Sequence, residues 1–457
     1  MNNFLNLITS LFPKRILTKV GFINKTIQRK KSEKLQNEKE LLASKFEGAL
    51  LGSLIGDCIG KCLEGIWSPN LCEMLDELRL AKDKYLHYLN EQEIVSLKFY
   101  SDDTALTRSI CESIINKKEF NIDDTVNNFL QMYYMDSSRG YSSATMTLFK
   151  KLSYLKSKDE LHNNSFIPAM ELFDGEGSYG SGAAMRCSPI ALYTFSKSLE
   201  EMKIICELST RITHNHKLAV LGAWQQCFAI RLALQTSKVY CSIDFDNFFY
   251  QILNFVNDLE NNYENLDEAK YENLDKYSQS LRENIFLYLE QNKSTLFEIN
   301  DKSSPKKSLS YTYLLLKLFK LIKKCRRGHK INMEYLYKLI SSSTSSAIQT
   351  IPLALFSFMI ASDSRCCNEV NFKLNSKIAF KQYGNVERVV FYAVSFGGEA
   401  QKIASMAGAI AGAFYSADFI PKYLIDMCEA SNDVRNYAKD LFDLNFSDDT
   451  CLQEDIL

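Results

Sequence analysis

The chain is short of the residues that interrupt helices: 457 residues carry only 7 Pro and 18 Gly. Alternating apolar segments set off by turn residues are also scarce. Together these argue against a sandwich or barrel and for a largely helical protein. A cysteine framework is missing as well. The 13 Cys are scattered without a CxxC pair, the nearest local pairs being Cys58 with Cys62 and the adjacent Cys366 and Cys367. An odd number without a pattern points to reduced thiols and away from zinc ribbons and fingers. The five His (His87, His162, His214, His216 and His329) show no metal-site spacing with Cys. Net charge is nearly absent, with 54 Lys+Arg against 55 Asp+Glu, so no basic field announces nucleic acid. No run of 18 apolar residues occurs, and no membrane-spanning helix is expected.

What is present is enough apolar material, 46% of the chain, for a large core. The length suits two domains, or one domain with insertions. Residues 1–32 hold seven Lys/Arg and no acid before Glu33, and apolar residues recur through FLNLITSLFPKRILTKVGFI. Such a segment is similar to a mitochondrial transit peptide. A disordered basic tail or a nuclear signal at Arg29–Lys31 fits the same residues. Residues 1–43 are therefore expected to lie outside the core, with the mitochondrial matrix as the expected location and the cytoplasm or nucleus as alternatives. One helical domain is expected over 44–440, followed by an acidic tail at 441–457. A polar excursion at 235–335 interrupts it, carrying the short repeat YENLDEAKYENLDKY and a basic cluster at Lys323–Lys330. The excursion is expected to be helical and partly mobile. The basic cluster reads as a solvated face more readily than as a phosphate site.

Five stretches carry candidate chemistry. In FEGALLGSLIGDCIGKCLEG, Gly48, Gly52, Gly56 and Gly60 recur at every fourth position, a bare row on a helix that ends in the polar residues Asp57 and Glu64. Each glycine costs about 1 kcal/mol of helix propensity, so another backbone is expected to pack closely there. In FYSDDTALTR, Ser101, Asp102, Asp103 and Thr104 read as a helix cap, and four oxygen-bearing residues in a row also suit Mg²⁺ or Ca²⁺. FDGEGSYGSGAAMR crowds Gly175, Gly177, Gly180 and Gly182 between aromatics, which suits a phosphate loop or merely a tight turn. His214 stands at the mouth of an apolar helix. Finally, NVERVVFYAVSFGGEAQKIASMAGAIAGAF reads as two helices, with Asn385 as N-cap, Gly397-Gly398 as the break, and Ala404, Gly408 and Gly412 as a second small-residue stripe.

Taken in order, GALLGSLIGDCIGKCLEG, YSDDTAL, RGYSSATMTLFKKL, GSYGSGAAMR, THNH, AIQTIPLALFSF and FGGEAQKIASMAGAIAGAF resemble the ADP-ribosylglycohydrolase family. The resemblance is strongest to the branch that removes ADP-ribose from serine and degrades poly(ADP-ribose) and O-acetyl-ADP-ribose. It covers about residues 44–234 and 338–430. It implies an all-α, orthogonal multi-helix bundle with a two-Mg²⁺ centre and ADP-ribosylated proteins or poly(ADP-ribose) as partners, acting as a monomer. By the same resemblance Glu64 matches the catalytic glutamate, and Ser101, Asp102 and Asp103 match the first metal-binding half. Phe173 and Tyr179 match aromatics at the adenosine end. Gly177, Ser178, Tyr179, Gly180 and Ser181 match the diphosphate loop, with serine at Ser181 where asparagine is usual, and His214 matches the ligand-pocket histidine.

The departure lies at 399–402. The family pattern Gly-Gly-Asp-x-Asp-Thr is here Gly397-Gly398-Glu399-Ala400-Gln401-Lys402. Glu399 and Gln401 still offer oxygens, but Lys402 brings a positive charge instead of a ligand. Asp102, Asp103 and Glu399 against Lys402 leave a net charge of −2, which suits one divalent ion and not two. The expectation is therefore a Mg²⁺-assisted glycosidase with a damaged second ligand set. The alternative is a catalytically degenerate ADP-ribose-binding or structural protein on the same fold.

Overall fold

The computed structural model describes residues 14–62, 98–236, 244–269, 310–329, 346–366 and 384–446, with isolated positions between 279 and 336; side chains at 14–32 and 263–269 are outside that description. In chain order the helices named below are α1 (Lys14–Lys61), α2 (Asp102–Lys117), α3 (Ile122–Met135), α4 (Ser143–Ser157), the short α5 (Gly182–Met185) and α6 (Ser188–Tyr193), α7 (Leu199–Arg211), α8 (Lys217–Gln235), α9 (Phe245–Ala269), α10 (Tyr311–Cys325), α11 (Ala347–Ser362), α12 (Asn385–Val394), α13 (Ala400–Tyr415) and α14 (Ser431–Phe446), with further short turns of helix at Leu161–Asn164, Ile167–Met170, Ala417–Phe419 and Lys422–Asp426. Among the described residues there is no strand, only isolated bridges at Lys98–Cys428 and Gly180–Ser346. The fold is an all-helical bundle, and no described helix is long and apolar enough to cross a membrane.

The two small-residue stripes meet each other. A Cβ on Gly52 would lie 2.1 Å from the Gly408 carbonyl oxygen, and one on Gly56 would lie 2.1 Å from that of Ala404. At the ends of the row, a Cβ on Gly48 would lie 2.3 Å from the Gly412 oxygen and one on Gly60 2.3 Å from Gln401 Cα. Helices α1 and α13 therefore run antiparallel at backbone contact, a distance no larger residue permits. Ser53 and Ser405 share a hydrogen bond of 2.9 Å inside the seam. The lost helix propensity is offset by dense backbone packing and by the buried flanks Leu50, Leu54, Ile55 and Ile403. Burial along α1 begins at Leu42. Helix α11 is buried along its whole length, although Pro352 stands inside it.

The described part of the 235–335 excursion is docked on this core. Phe249 of α9 stacks on Phe319 of α10 at 4.0 Å, and Phe248 lies against Phe358 of α11 at 5.5 Å and Phe414 of α13 at 5.9 Å. Glu260 caps α10 by accepting from the Ser310 hydroxyl and the Tyr311 and Thr312 amides at 2.9, 2.6 and 3.1 Å. Tyr311 donates its hydroxyl to the Leu218 carbonyl at 2.8 Å. Arg326, in the basic cluster, is tied to Asp363 at 2.6 Å and also pairs with Asp246; for that residue the solvated-face reading gives way to a structural one. The short repeat lies wholly outside the described side chains. One cap differs from expectation. The N-cap of α12 is Gly384, because the Asn385 side chain accepts from Arg388 at 2.7 Å instead of turning back on the helix.

Candidate functional site

The seam delivers the end of α1 and the start of α13 to the N-terminus of α2. Ser101 caps α2, its Oγ accepting from the Asp103 amide at 3.1 Å. A second capping group comes from α1. The Asp57 carboxylate accepts from the Ser101 amide and hydroxyl at 3.0 and 2.7 Å, and from the Thr104 amide and hydroxyl at 3.2 and 2.6 Å. Burial raises the Asp57 carboxyl pKa, against the pull of these hydrogen bonds. Its only sequence signal is its place between Gly56 and Gly60, where a helix face must be buried.

From α13, the Gln401 amide nitrogen donates to Ser101 Oγ and, at 2.8 Å, to Asp103 Oδ2. Ser101 Oγ now gives its proton to Asp57 and takes two N–H donors, which uses the full capacity of a hydroxyl. It has no lone pair left for a cation. Glu399 is ion-paired with Lys402. Burial works to lower the Lys402 pKa, but Glu399, then Asp103 and Asp102, hold it above its usual value. Asp103 is buried, and burial followed by the charges of Asp102 and Asp57 pushes its carboxyl well above the ordinary range, against Lys402 and Gln401. The remaining oxygen donors of the cluster are Asp102, Asp103 and Gln401; Asp103 and Gln401 are buried, and the Gln401 carbonyl oxygen has no hydrogen-bond partner. Among the described residues no group of three or more His, Cys, Asp or Glu converges as a metal cage. This donor set does not fit a two-ion centre, since one ligand is saturated and one carboxylate is already neutralised. It fits one divalent ion at most.

The glycine loop lies against the segment that leads into α8. Gly177 has φ +73°, and a Cβ there would meet Asn215 Cβ and the His216 amide at 3.0 Å. A Cβ on Gly182 would meet the His214 ring at 2.9 and 3.0 Å, and one on Gly180 would come within 3.4 Å of His214 Nε2. The loop is thus moulded around the His214 imidazole. The Tyr179 carbonyl accepts from the Ala347 amide at 3.0 Å, tying the loop to α11. Ser178 Oγ accepts from the Gly180 amide at 3.3 Å, and Ser181 is buried with its hydroxyl unpartnered. Phe173 and Tyr179 are 52% and 41% exposed, yet their ring centroids are 6.3 Å apart, and Tyr179 meets His216 edge-on at 5.9 Å. An exposed aromatic pair is poorly explained by packing and well suited to a planar ligand. Phe173 and Asp174 both hold positive φ, +54° and +57°, a strained backbone of the kind that persists where surroundings over-determine it.

Residues not singled out from the sequence complete the site. His216 caps α8, accepting from the Leu218 amide at 3.1 Å. Arg186 is 1% exposed; it donates to the Ser209 carbonyl at 3.1 Å and to Thr213 Oγ1 at 2.7 Å, and lies over the Phe129 ring at 5.0 Å. Its sequence signal is a charge set in the apolar run GAAMRCSPIALY. Burial, then the cations Arg186 and Lys402, lower the His214 pKa to about 3, so the ring is neutral. Glu64 lies outside the described residues.

An all-helical bundle that sets carboxylates at the end of a glycine seam, and carries a glycine loop with an exposed aromatic pair, has the makings of a polar-ligand site. The chain belongs to the ADP-ribosylglycohydrolase family, whose model matches residues 38–450. It is 31% identical to the ADP-ribosylhydrolase ARH3 of Gallus gallus over 345 residues, 76% of this chain and 78% of that protein. It is 28% identical to the ADP-ribosylhydrolase ARH3 of Homo sapiens over 343 residues, 75% and 78% of the two chains. With that of Danio rerio it shares 28% identity over 404 residues, 88% and 91%.

Proposed function

We propose that this protein binds the ADP-ribosyl group and hydrolyses the glycosidic bond at its ribose C1, with ADP-ribosyl-serine, poly(ADP-ribose) and O-acetyl-ADP-ribose as the substrate class. The observation that supports this most directly is the exposed Phe173–Tyr179 pair on the loop moulded around His214, a ring that also feels the charge of Lys402 beside Asp102 and Asp103. In this reading adenine lies against Phe173 and Tyr179, the diphosphate along Gly177–Ser181, and the ribose at the acidic end. Bond cleavage passes through an oxocarbenium-like state, so a carboxyl group must protonate the leaving oxygen or activate water. Glu64 takes that role. Asp102 and Asp103 orient the ribose hydroxyls as acceptors. A single Mg²⁺ held by Asp102 and Asp103 would add positive charge for orienting those hydroxyls.

A second reading is favoured by the ion pair of Lys402 with Glu399 and by the saturated Ser101. A site so arranged keeps ligand recognition and loses turnover, giving an ADP-ribose reader. Calorimetry with ADP-ribose, in Mg²⁺ and in chelator, combined with turnover of an ADP-ribosyl-serine peptide, separates the two. Binding with turnover supports the hydrolase, and binding without turnover supports the reader. Absence of binding in both buffers defeats both. We also propose a mitochondrial matrix location from the acid-free basic run over residues 1–32, which import into isolated mitochondria tests.

A further inference from the structure

Behind the ligand face, Arg186, Thr213 and His214 form a relay of hydrogen bonds. Arg186 lies 2.7 Å from Thr213 Oγ1, and Thr213 Oγ1 lies 2.7 Å from His214 Nδ1. A guanidinium can only donate, so the Thr213 oxygen is an acceptor towards Arg186. Thr213 is buried, and its hydroxyl has no other partner among the described residues. If His214 Nδ1 carried the ring proton and donated it, the Thr213 hydroxyl proton would be buried with no acceptor, a loss of about 1–3 kcal/mol. The arrangement that satisfies both the Thr213 hydroxyl and His214 Nδ1 runs one way: Arg186 donates to Thr213, and Thr213 donates to His214 Nδ1. The neutral ring then carries its proton on Nε2, the atom that faces Gly180 and Gly182.

We infer that Thr213, backed by Arg186, is a positioning residue that holds His214 as the Nε2–H tautomer, so that the site presents a fixed, uncharged hydrogen-bond donor to an oxygen of the ligand seated on the glycine loop. The ligand half of this inference rests on the ADP-ribose reading; the tautomer half does not. A neutral donor binds a diphosphate or ribose oxygen without adding a third cation beside Arg186 and Lys402. It also shows no preference for a protonated ligand, so recognition is steady across neutral pH.

The test is the two-bond proton–nitrogen spectrum of ¹⁵N-labelled protein at pH 7, with His214 assigned by difference from His214→Gln. The expected spectrum has Nε2 protonated and Nδ1 bare. Thr213→Val keeps the shape and removes the donor; it should raise the Nδ1–H form and weaken ADP-ribose binding by about tenfold, the scale of one hydrogen bond. Thr213→Ser should restore both readings. Protonated Nδ1 in the unaltered protein, or an unchanged tautomer in Thr213→Val, overturns the inference. An Nε2–H spectrum in a protein that binds no ADP-ribose upholds the relay and refutes the ADP-ribose reading instead.

Discussion

Along the seam between α1 and α13, glycine is required by space. In the loop at 175–182 it is required by conformation, by one ring and, at Gly177 alone, by the neighbouring 215–216 backbone. Gly52 has ordinary helical backbone, yet a Cβ on it would lie 2.1 Å from the Gly408 carbonyl oxygen. Gly175 has open space around it but φ +93°, and Gly182 is hemmed in only by the His214 side chain. Backbone cannot yield without moving a whole helix, whereas a strained φ or a side-chain contact is relieved locally. The seam therefore carries stability and register, and the loop carries the ligand surface. The seam ends at Gly60, where it sets Gln401 beside Ser101 and Asp103.

Perturbing the seam should give the largest loss. Gly52→Val is expected to destabilise the fold by at least about 3 kcal/mol, because both helices are overpacked at backbone, while Gly175→Ala should cost only about 1 kcal/mol from strain. Urea unfolding of the two variants checks this; similar midpoints would erase the distinction between the regions. On the loop side, Phe173→Ala and Tyr179→Ala should each weaken ADP-ribose binding by about 1–3 kcal/mol if the rings stack on a base, with the melting temperature little changed. Unaltered calorimetric affinity in both variants would rule out the pose.

The seam's far end is the place to test the one-ion reading. Changing Glu399→Asp, Gln401→Asp and Lys402→Thr together should raise both Mg²⁺ stoichiometry and turnover. Lys402→Thr alone should help less, because Gln401 would still supply a neutral group. Two tight Mg²⁺ sites in the unaltered protein, seen by titration calorimetry, would contradict the one-ion limit. A further effect concerns pH. His214 has its pKa lowered from 6.5 to about 3 in the fold, so the unfolded chain binds the extra proton first. Its contribution is fully present above pH 6.5 and is lost as pH falls from there towards 3. Between pH 7 and 4.5 the protein should lose more unfolding free energy than His214→Gln does; equal losses would place His214 in a more solvated setting than the structure shows.

Much of the seam was legible in the sequence, because a row of glycines at every fourth position is a statement about one helix face and needs no partner to be read. That the second stripe, Ala404–Gly408–Gly412, is its mate was not legible, since nothing local says which face meets which. In the site, Ser101 was readable as a cap from its own neighbours, but Asp57 was not, being an acid that works on a helix 44 residues away. His214 was suggested by resemblance. Its tautomer depended on Arg186, which looks from the sequence like a misplaced charge in an apolar run.

By itself the sequence determined that the chain is helical, where its helices are bare, and that residues 401 and 402 are an amide and an ammonium. These are properties of composition and short-range period, fixed by which side chains the chain contains. Only the tertiary structure decided what those residues do. Gln401 turns its amide onto Ser101, 300 residues distant, and Lys402 is held by Glu399. Thr213 stands between Arg186 and His214. Buried polar groups take whichever partner the approach of two backbones brings within 3 Å, and that approach was set by glycines that carry no chemistry of their own.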